Sequence, residues 1–513
     1  MTFAMDLAPA RGDEIALRDA DRDYTWSEID SYLRPAVNAL RNAELGELGR
    51  VAIFAQNSAQ TLLAYVACTL AGASAVAVNS HLTAKEAAYI FADCKAGIVL
   101  CDSASATVAV GGAVEAGIET VVAWGDGTLP DSVVPWRDWC EDDREPSTLV
   151  APRPTLVYTS GTTGRPKGVE LPKTSWVGGD TVDEHLARLR LNSMVGHGRH
   201  LVVGPMYHSG PLSSTRLLAA GVPVTVLGKF DAEKLLATIE RDEIGSSIMV
   251  PTHFQRLLAL PQSVRQSADL SSLRFVLQVG SKCPVDVKRS IINWWGDVIW
   301  ESYGASEVGS TCMISANEWL QRPGSVGRSI PPFDAYIRAD DGGRAAPHVE
   351  GPLWFRDETG NGIEYTNGAR SGPDFTLGEI GRMDEEGYVW ITDRLSDMVV
   401  SGGVNIYPAE IEQALIGHES VADAAVYGVP DTEMGERLVA VIVPTDSTHP
   451  PTRDEITVFL RKYLAGFKIP RAIHVVGELP RSAVGKLDKR AIRRLGLDDR
   501  TEANVISEVG ASR

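Results

Sequence analysis

From Arg50 onward the chain alternates short apolar runs with amphipathic stretches. Val51-Ala-Ile-Phe54, Ala75-Val-Ala-Val78 and Gly97-Ile-Val-Leu100 read as strands. Ala59 to Leu70 and Thr83 to Ala92 read as helices, the second capped by Thr83. Strand–helix–strand alternation predicts parallel pairing with helices on the sheet faces. Val121-Val-Ala-Trp124 adds a strand, and Glu141 to Pro154 forms a surface connection into another, Thr155-Leu-Val-Tyr158. Further on, Asp180 to Leu191, Asp231 to Arg241 and Val285 to Trp295 are helical in period. Leu201 to Gly204, Ser247 to Val250, Phe275 to Val279 and Val298 to Trp300 are apolar strand runs. Residues 322–391 are rich in Gly, Pro and β-formers, which suits a small barrel or sheet. Beyond Asp393 the texture changes: helix at Pro408 to Ile416, strands at Val421 to Tyr427 and Arg437 to Val443, helix at Arg453 to Leu464. This last stretch reads as a separate α+β domain, with a loose tail from about Asp498.

Composition narrows the class. At 513 residues the chain exceeds one hydrophobic core, so two or more domains are expected. Hydrophobic content of 44% and charged content of 23% describe an ordinary globular protein. No apolar run approaches the roughly 20 residues a membrane span needs. The N-terminus has no basic segment before an apolar core, so no signal peptide is expected and the location reads as cytoplasmic. Cys68, Cys94, Cys101, Cys140, Cys283 and Cys312 show no C-x-x-C spacing, so buried reduced thiols are expected and structural zinc is not. A net charge of −18 argues against nucleic acid as a partner. A basic stretch from Arg461 to Arg494 is either a solvated face or a grip for a polyanionic cofactor.

Five clusters carry candidate chemistry. Tyr158-Thr-Ser-Gly-Thr-Thr-Gly-Arg-Pro-Lys167-Gly168 combines glycines, hydroxyls and cations directly after a strand. Glycines let backbone N–H groups approach an anion, so the segment reads as a phosphate cradle or, failing that, a solvated loop. It is not the P-loop NTPase signature, because Gly168 follows Lys167 where Ser or Thr is required. Pro205-Met-Tyr-His208-Ser-Gly210 and Glu301-Ser-Tyr303-Gly-Ala-Ser306-Glu307 both follow strand ends, where open α/β sheets place ligand groups. Gly378-Glu379-Ile-Gly381 and Asp393-Arg394 bracket a hairpin that could hold ribose hydroxyls or a surface ion pair. Pro480 to Arg490 presents Lys486 after a Gly turn.

In this order, over about Arg11 to Arg494, the clusters resemble the adenylate-forming superfamily of acyl-CoA synthetases, adenylation domains and luciferases. The strongest marks are Tyr158 to Gly168, Tyr303 to Glu307, Arg394 to Glu412 with Ser401 to Pro408, and Pro480 to Arg490. The resemblance implies an α/β fold: a large N-terminal region of parallel α/β sheets with a small β-barrel-like part, then a small mobile α+β C-terminal domain. The expected boundaries are 1–393, a hinge at 394–396, and a lid at 397–513. It also implies ATP, Mg²⁺ and coenzyme A as cofactors and a carboxylic acid as partner. Thr159, Ser160, Gly161, Thr162, Thr163, Gly164 and Lys167 would wrap the β,γ-phosphates. Tyr303 would stack on adenine, Ser306 would contact the α-phosphate, Glu307 would hold Mg²⁺, and Glu379 with Arg394 would bind ribose. Lys486 would bridge carboxylate and α-phosphate, His208 would line the acyl site, and Gly402 and Gly403 would border the pantetheine channel.

Three departures stand out. Glu379 replaces the family's usual Asp, and Ser396 stands where a hinge Asp or Lys is usual. Gly280-Ser281-Lys282-Cys-Pro284 puts a cation among small residues beside the expected pocket. Lys282 either pairs with an anionic group of the substrate or reaches solvent or a nearby acid. Pocket walls are expected from Trp176 to His208, Thr252 to Phe254, Val279 to Lys282 and Tyr303 to Met313. The leading reading is an ATP-dependent acid–CoA ligase for a small or medium acid. Alternatives are an adenylating enzyme passing its acid, or a small oxyanion such as nitrite, to a carrier thiol or an amine, and a nucleotide-binding protein that has lost catalysis. The oligomeric state is open, a homodimer included.

Overall fold

The computed structural model describes residues 11–144, 146–160, 166–172, 176–365, 368, 370–394, 398–480, 487 and 489–495. Two compact units divide the chain between Leu395 and Ser396, with 81–86 and 160–166 grouped with the second.

Two sheets build the first unit. One runs in the order Val133–Pro135, Thr120–Trp124, Ile98–Asp102, Arg50–Phe54, Ser74–Ala77, Leu156–Ser160, Pro166–Glu170. The predicted strands of this region pair in parallel, as the alternating pattern requires: Val51 lies beside both Ala75 and Ile98, and Val99 beside Val121. Helix Ala59–Ala71 shows why the local sequence folds as it does. Ser58 accepts the Thr61 N–H at its start, and Gly72, at φ 75°, closes its end. Its apolar surface packs against helix Ser209–Ala219, which belongs to the other sheet, so the two sheets share one core.

The second sheet is parallel in its centre, from Ile299–Ala305 through Phe275–Gln278, Ile244–Met249 and Arg199–Val202 to Val224–Val226. Beyond Ile299–Ala305 it turns antiparallel, with Gly309–Ser315 and Ser325–Ser329 leading to the strands of residues 333–394. The β-rich stretch at 322–391 therefore continues the edge of this sheet by antiparallel pairing.

Some elements had weaker sequence signals. Helix Trp26–Asn42 opens with a reciprocal capping box in which Thr25 and Glu28 satisfy each other's backbone N–H. Helix Ala106–Ala116 contains Gly111 and Gly112, both poor helix formers, and packs on the sheet through Ala106, Ala109 and Ala113. Among the described residues, no helix is long and apolar enough to cross a membrane.

The second unit is an antiparallel sheet in the order Val404–Ile406, Val399–Ser401, Gly435–Pro444, Val421–Asp431, with Ala472–Val475 parallel to Gly435–Pro444. Helices Pro408–Ile416 and Arg453–Leu460 contribute buried residues to its core. Pro408 occupies the first helical turn, where its missing N–H costs nothing.

Candidate active site

Three segments of the first unit converge around the Tyr303 hairpin. Strands Ile299–Ala305 and Gly309–Ser315 pair antiparallel, and the Val308 N–H donates to the Ala305 carbonyl at 3.2 Å. Ser306 and Glu307 are thus the central residues of a tight turn. A Cβ at Gly304 would lie 1.9 Å from the Gly309 carbonyl oxygen, so the hairpin closes only with glycine there. The hairpin is pinned along its length: Ser302 Oγ donates to Ser310 Oγ at 2.6 Å, and Thr311 Oγ1 to the Tyr303 carbonyl at 3.1 Å. The Tyr303 ring stacks on Phe355 at 6.1 Å between centroids. Glu301, two residues earlier, is buried and ion-paired to Lys288, itself only 1% exposed.

The tip of this hairpin meets the start of helix Ser209–Ala219. Ser306 Oγ and Ser209 Oγ are 3.2 Å apart. His208 occupies the N-cap position without capping through its side chain. Its Nε2 is buried and has no hydrogen-bond partner among the described residues, and burial pulls the ring down to about 4. His208 is therefore a neutral imidazole at physiological pH, with one ring nitrogen available to a ligand. The loop before it is clamped by Asn57, whose Nδ2 donates to the Gly204 carbonyl at 2.8 Å and whose Oδ1 accepts from the Met206 N–H at 2.9 Å. Sequence reasoning passed over Asn57. Its position at the end of strand Arg50–Phe54, in the other sheet, was the available signal.

The glycine- and hydroxyl-rich loop connects strand Leu156–Ser160 to its neighbour Pro166–Glu170. Thr159 and Ser160 end the first strand, while Gly161, Thr162, Thr163 and Gly164 lie outside the described residues. Loop entry is anchored where the Tyr158 hydroxyl donates to Asp93 Oδ2 at 2.6 Å. Lys167, just past the loop, makes no ion pair among the described residues, and its Nζ sits 5.8 Å from the centroid of the Tyr365 ring. Burial, and then the Glu307 carboxylate, push the Tyr365 phenol up to about 12. Lys167 and Tyr365 are thereby brought together from two distant segments; Tyr365 was not among the residues the sequence singled out.

Glu379 is buried, and its backbone lies directly opposite Arg394 in the antiparallel register of Glu379–Met383 with Val389–Arg394. Gly280 has φ 89°, and a Cβ there would lie 3.1 Å from Val250. The Ser281 carbonyl accepts from Gln278 Nε2 at 3.1 Å, which fixes the turn. Lys282 is exposed and donates to the Ile391 carbonyl at 3.3 Å. In the second unit, Gly402 (φ 60°) and Gly403 (φ 83°) form the two-residue turn between Val399–Ser401 and Val404–Ile406. A turn with φ positive at both positions favours glycine on backbone grounds alone. Lys486 lies outside the described residues. Two residues of the C-terminal basic stretch are neutralised internally: Lys468 pairs with Glu410 at 2.8 Å and Lys489 with Glu412 at 2.8 Å. Arg461, Lys462 and Arg471 remain exposed.

Comparison with known proteins gives this constellation its context. Residues 6–362 match the AMP-binding enzyme family and residues 410–486 match the AMP-binding enzyme C-terminal domain. Indoleacetate–CoA ligase of Aromatoleum aromaticum is 30% identical over 506 residues, covering 94% of each chain. Among solved structures, the amide bond synthetase McbA of Marinactinospora thermotolerans is similar with a TM-score of 0.81 and 25% identity, covering 96% of this chain and 99% of that one. O-succinylbenzoate coenzyme A synthetase of Bacillus subtilis, in complex with ATP and magnesium, is similar with a TM-score of 0.62 and 25% identity, covering 96% and 98%. The matches span both units and nearly the whole length of each relative, so the chain belongs to the AMP-binding enzyme family, the adenylate-forming superfamily that includes the acyl-CoA synthetases.

Proposed function

We propose that this protein is an acid–CoA ligase: it joins a small or medium carboxylic acid to AMP at the expense of ATP, then transfers the acyl group to the thiol of coenzyme A. The observation that carries the reading is the meeting of Ser306, in the turn it shares with Glu307, with Ser209, next to His208 at the helix start. A hydroxyl and carboxylate at a turn tip, a cation, and a neutral buried imidazole suit a polyphosphate on one side and an uncharged acyl group on the other.

In the first step a carboxylate oxygen attacks the α-phosphorus and pyrophosphate leaves; in the second the thiol sulfur attacks the acyl carbon and AMP leaves. Charge develops on phosphoryl and carbonyl oxygens in both, so fixed donors and cations supply most of the catalysis. Tyr303 presents an aromatic face to adenine, Ser306 a hydroxyl to the α-phosphate, and Glu379 with Arg394 polar groups to the ribose. Lys167 and the loop before it hold the departing pyrophosphate, and Lys486 bridges the attacking carboxylate and the α-phosphate. Glu307 would hold Mg²⁺, which binds through one or two carboxylates plus substrate phosphates and neutralises phosphate charge when bound. His208 borders the acyl group. At the neighbouring wall a Cβ on Gly210 would touch Ile248 and Val279, both at 3.4 Å, which favours an acid with an apolar body. The similarity to indoleacetate–CoA ligase supports that choice.

The likeness to an amide bond synthetase favours one second reading, in which an amine replaces the thiol as acceptor. A pyrophosphate-release screen over apolar, aryl-substituted and short acids, each with and without CoA and with a panel of amines, separates the two. The ligase reading expects thioester and AMP only when CoA is present. Amide product with indifference to CoA would replace it.

A further inference from the structure

We infer that Tyr365 is a positioning residue of the phosphate site, its ring seating the Lys167 ammonium so that the cation is held ready for the terminal phosphates of ATP. The inference rests on the ATP-dependent reading above. Tyr365 is itself firmly placed. It packs against both apolar clusters that flank it in the first unit. Its chain segment is closed by the Gly368 N–H donating to the Tyr365 carbonyl at 2.9 Å and by the Ser371 N–H donating to the Ile363 carbonyl at 2.8 Å.

The physical need is specific. A Lys ammonium on a flexible stem near a carboxylate collapses into an ion pair unless something intervenes, and an incoming phosphate would then have to break that pair. An aromatic face offers the cation an attractive seat that is weaker than a carboxylate or phosphate, so it orients without competing. Lys167 has this arrangement: 5.8 Å from the Tyr365 centroid, with no ion pair among the described residues.

The test measures binding of magnesium ATP and of AMP to the full chain by calorimetry, for wild type, Tyr365→Leu, Tyr365→Phe, Lys167→Met and the Tyr365→Leu/Lys167→Met double variant. Loss of the ring should weaken magnesium ATP about fivefold. AMP, which lacks the terminal phosphates, should bind as before, and Tyr365→Phe should bind ATP like wild type. In the Lys167→Met background Tyr365→Leu should have no further effect on ATP, because its partner is gone. Equal losses for ATP and AMP, a Phe variant as weak as Leu, additive effects in the double variant, or no magnesium ATP binding by wild type would each overturn the inference. A general packing defect weakens both nucleotides in both backgrounds and so cannot imitate the predicted pattern. Because the measurement needs neither acid nor turnover, binding as predicted without acid-dependent pyrophosphate release would refute the ligase reading alone.

Discussion

Lys288→Met tests whether the buried ion pair under the Tyr303 strand holds the site in place. Lys288 is 1% exposed and pairs with Glu301, and its ammonium also lies 5.1 Å from the Trp319 ring. Methionine preserves much of the volume but leaves Glu301 charged, buried and without its cation. Removing one partner of such a pair costs roughly 3–5 kcal/mol, whereas replacing both with matched neutral groups is often close to neutral. With an unfolding entropy of about 2.1 cal/mol/K per residue over roughly 380 residues of the first unit, that loss lowers the midpoint of thermal unfolding by about 4–6 °C. Lys288→Met/Glu301→Gln should recover most of it. Calorimetric unfolding of the three proteins reads the stability, and the Michaelis constant for ATP in acid-dependent pyrophosphate release reads the site. The single variant should raise that constant, because Glu301 is two residues from Tyr303 on the same strand, and the double variant should restore it. A single variant less than about 1 kcal/mol below wild type, or a double variant worse than the single, would refute the reasoning.

Two other outcomes follow from individual contacts. Burial holds His200 and His253 down to about 3 and His208 to about 4, so all three fold as neutral rings. An unfolded chain binds protons on these side chains below its ordinary pKa of about 6.5, so their stabilising contribution is complete above that pH and is lost as pH falls from about 6.5 toward 4. At pH 5 the loss is about 2 kcal/mol for each ring; urea midpoints that stay flat between pH 7 and pH 5 would contradict it. Asn57→Ala removes both hydrogen bonds to the loop before His208 and leaves the Gly204 carbonyl and Met206 N–H unsatisfied. It should cost about 1–3 kcal/mol and raise the Michaelis constant for the acid more than that for ATP; equal changes in both would place Asn57 outside the acyl side.

What was legible in the sequence was whatever depends on neighbours along the chain. The period of Val285–Trp295 and the proline start of Pro408–Ile416 gave helices whose bounds match the structure. The alternating runs from Arg50 to Leu100 gave parallel strands. Ala106–Ala116 was missed because Gly111 and Gly112 argue against helix locally and burial overrides them. The glycine pair at 402–403, which the resemblance puts on the pantetheine channel, also forms a turn with φ positive at both positions, a second reason for glycine there. Contacts between distant segments were not legible: Ser209 with Ser306, Asn57 with the His208 loop, and Lys167 with Tyr365 arise only when sheets and hairpins close. Lys282 makes another such contact, its side chain reaching the Ile391 carbonyl more than a hundred residues away.

The most direct test of the central claim is a mass balance on the purified chain with ATP, magnesium, CoA and an acid that the pyrophosphate screen selects. Chromatography would follow AMP, pyrophosphate and acyl thioester, and a thiol reagent would follow free CoA. The account predicts one AMP, one pyrophosphate and one thioester for each CoA thiol lost, with pyrophosphate appearing first in rapid-quench time points. Formation of ADP and phosphate, or thioester without matching AMP, would contradict it.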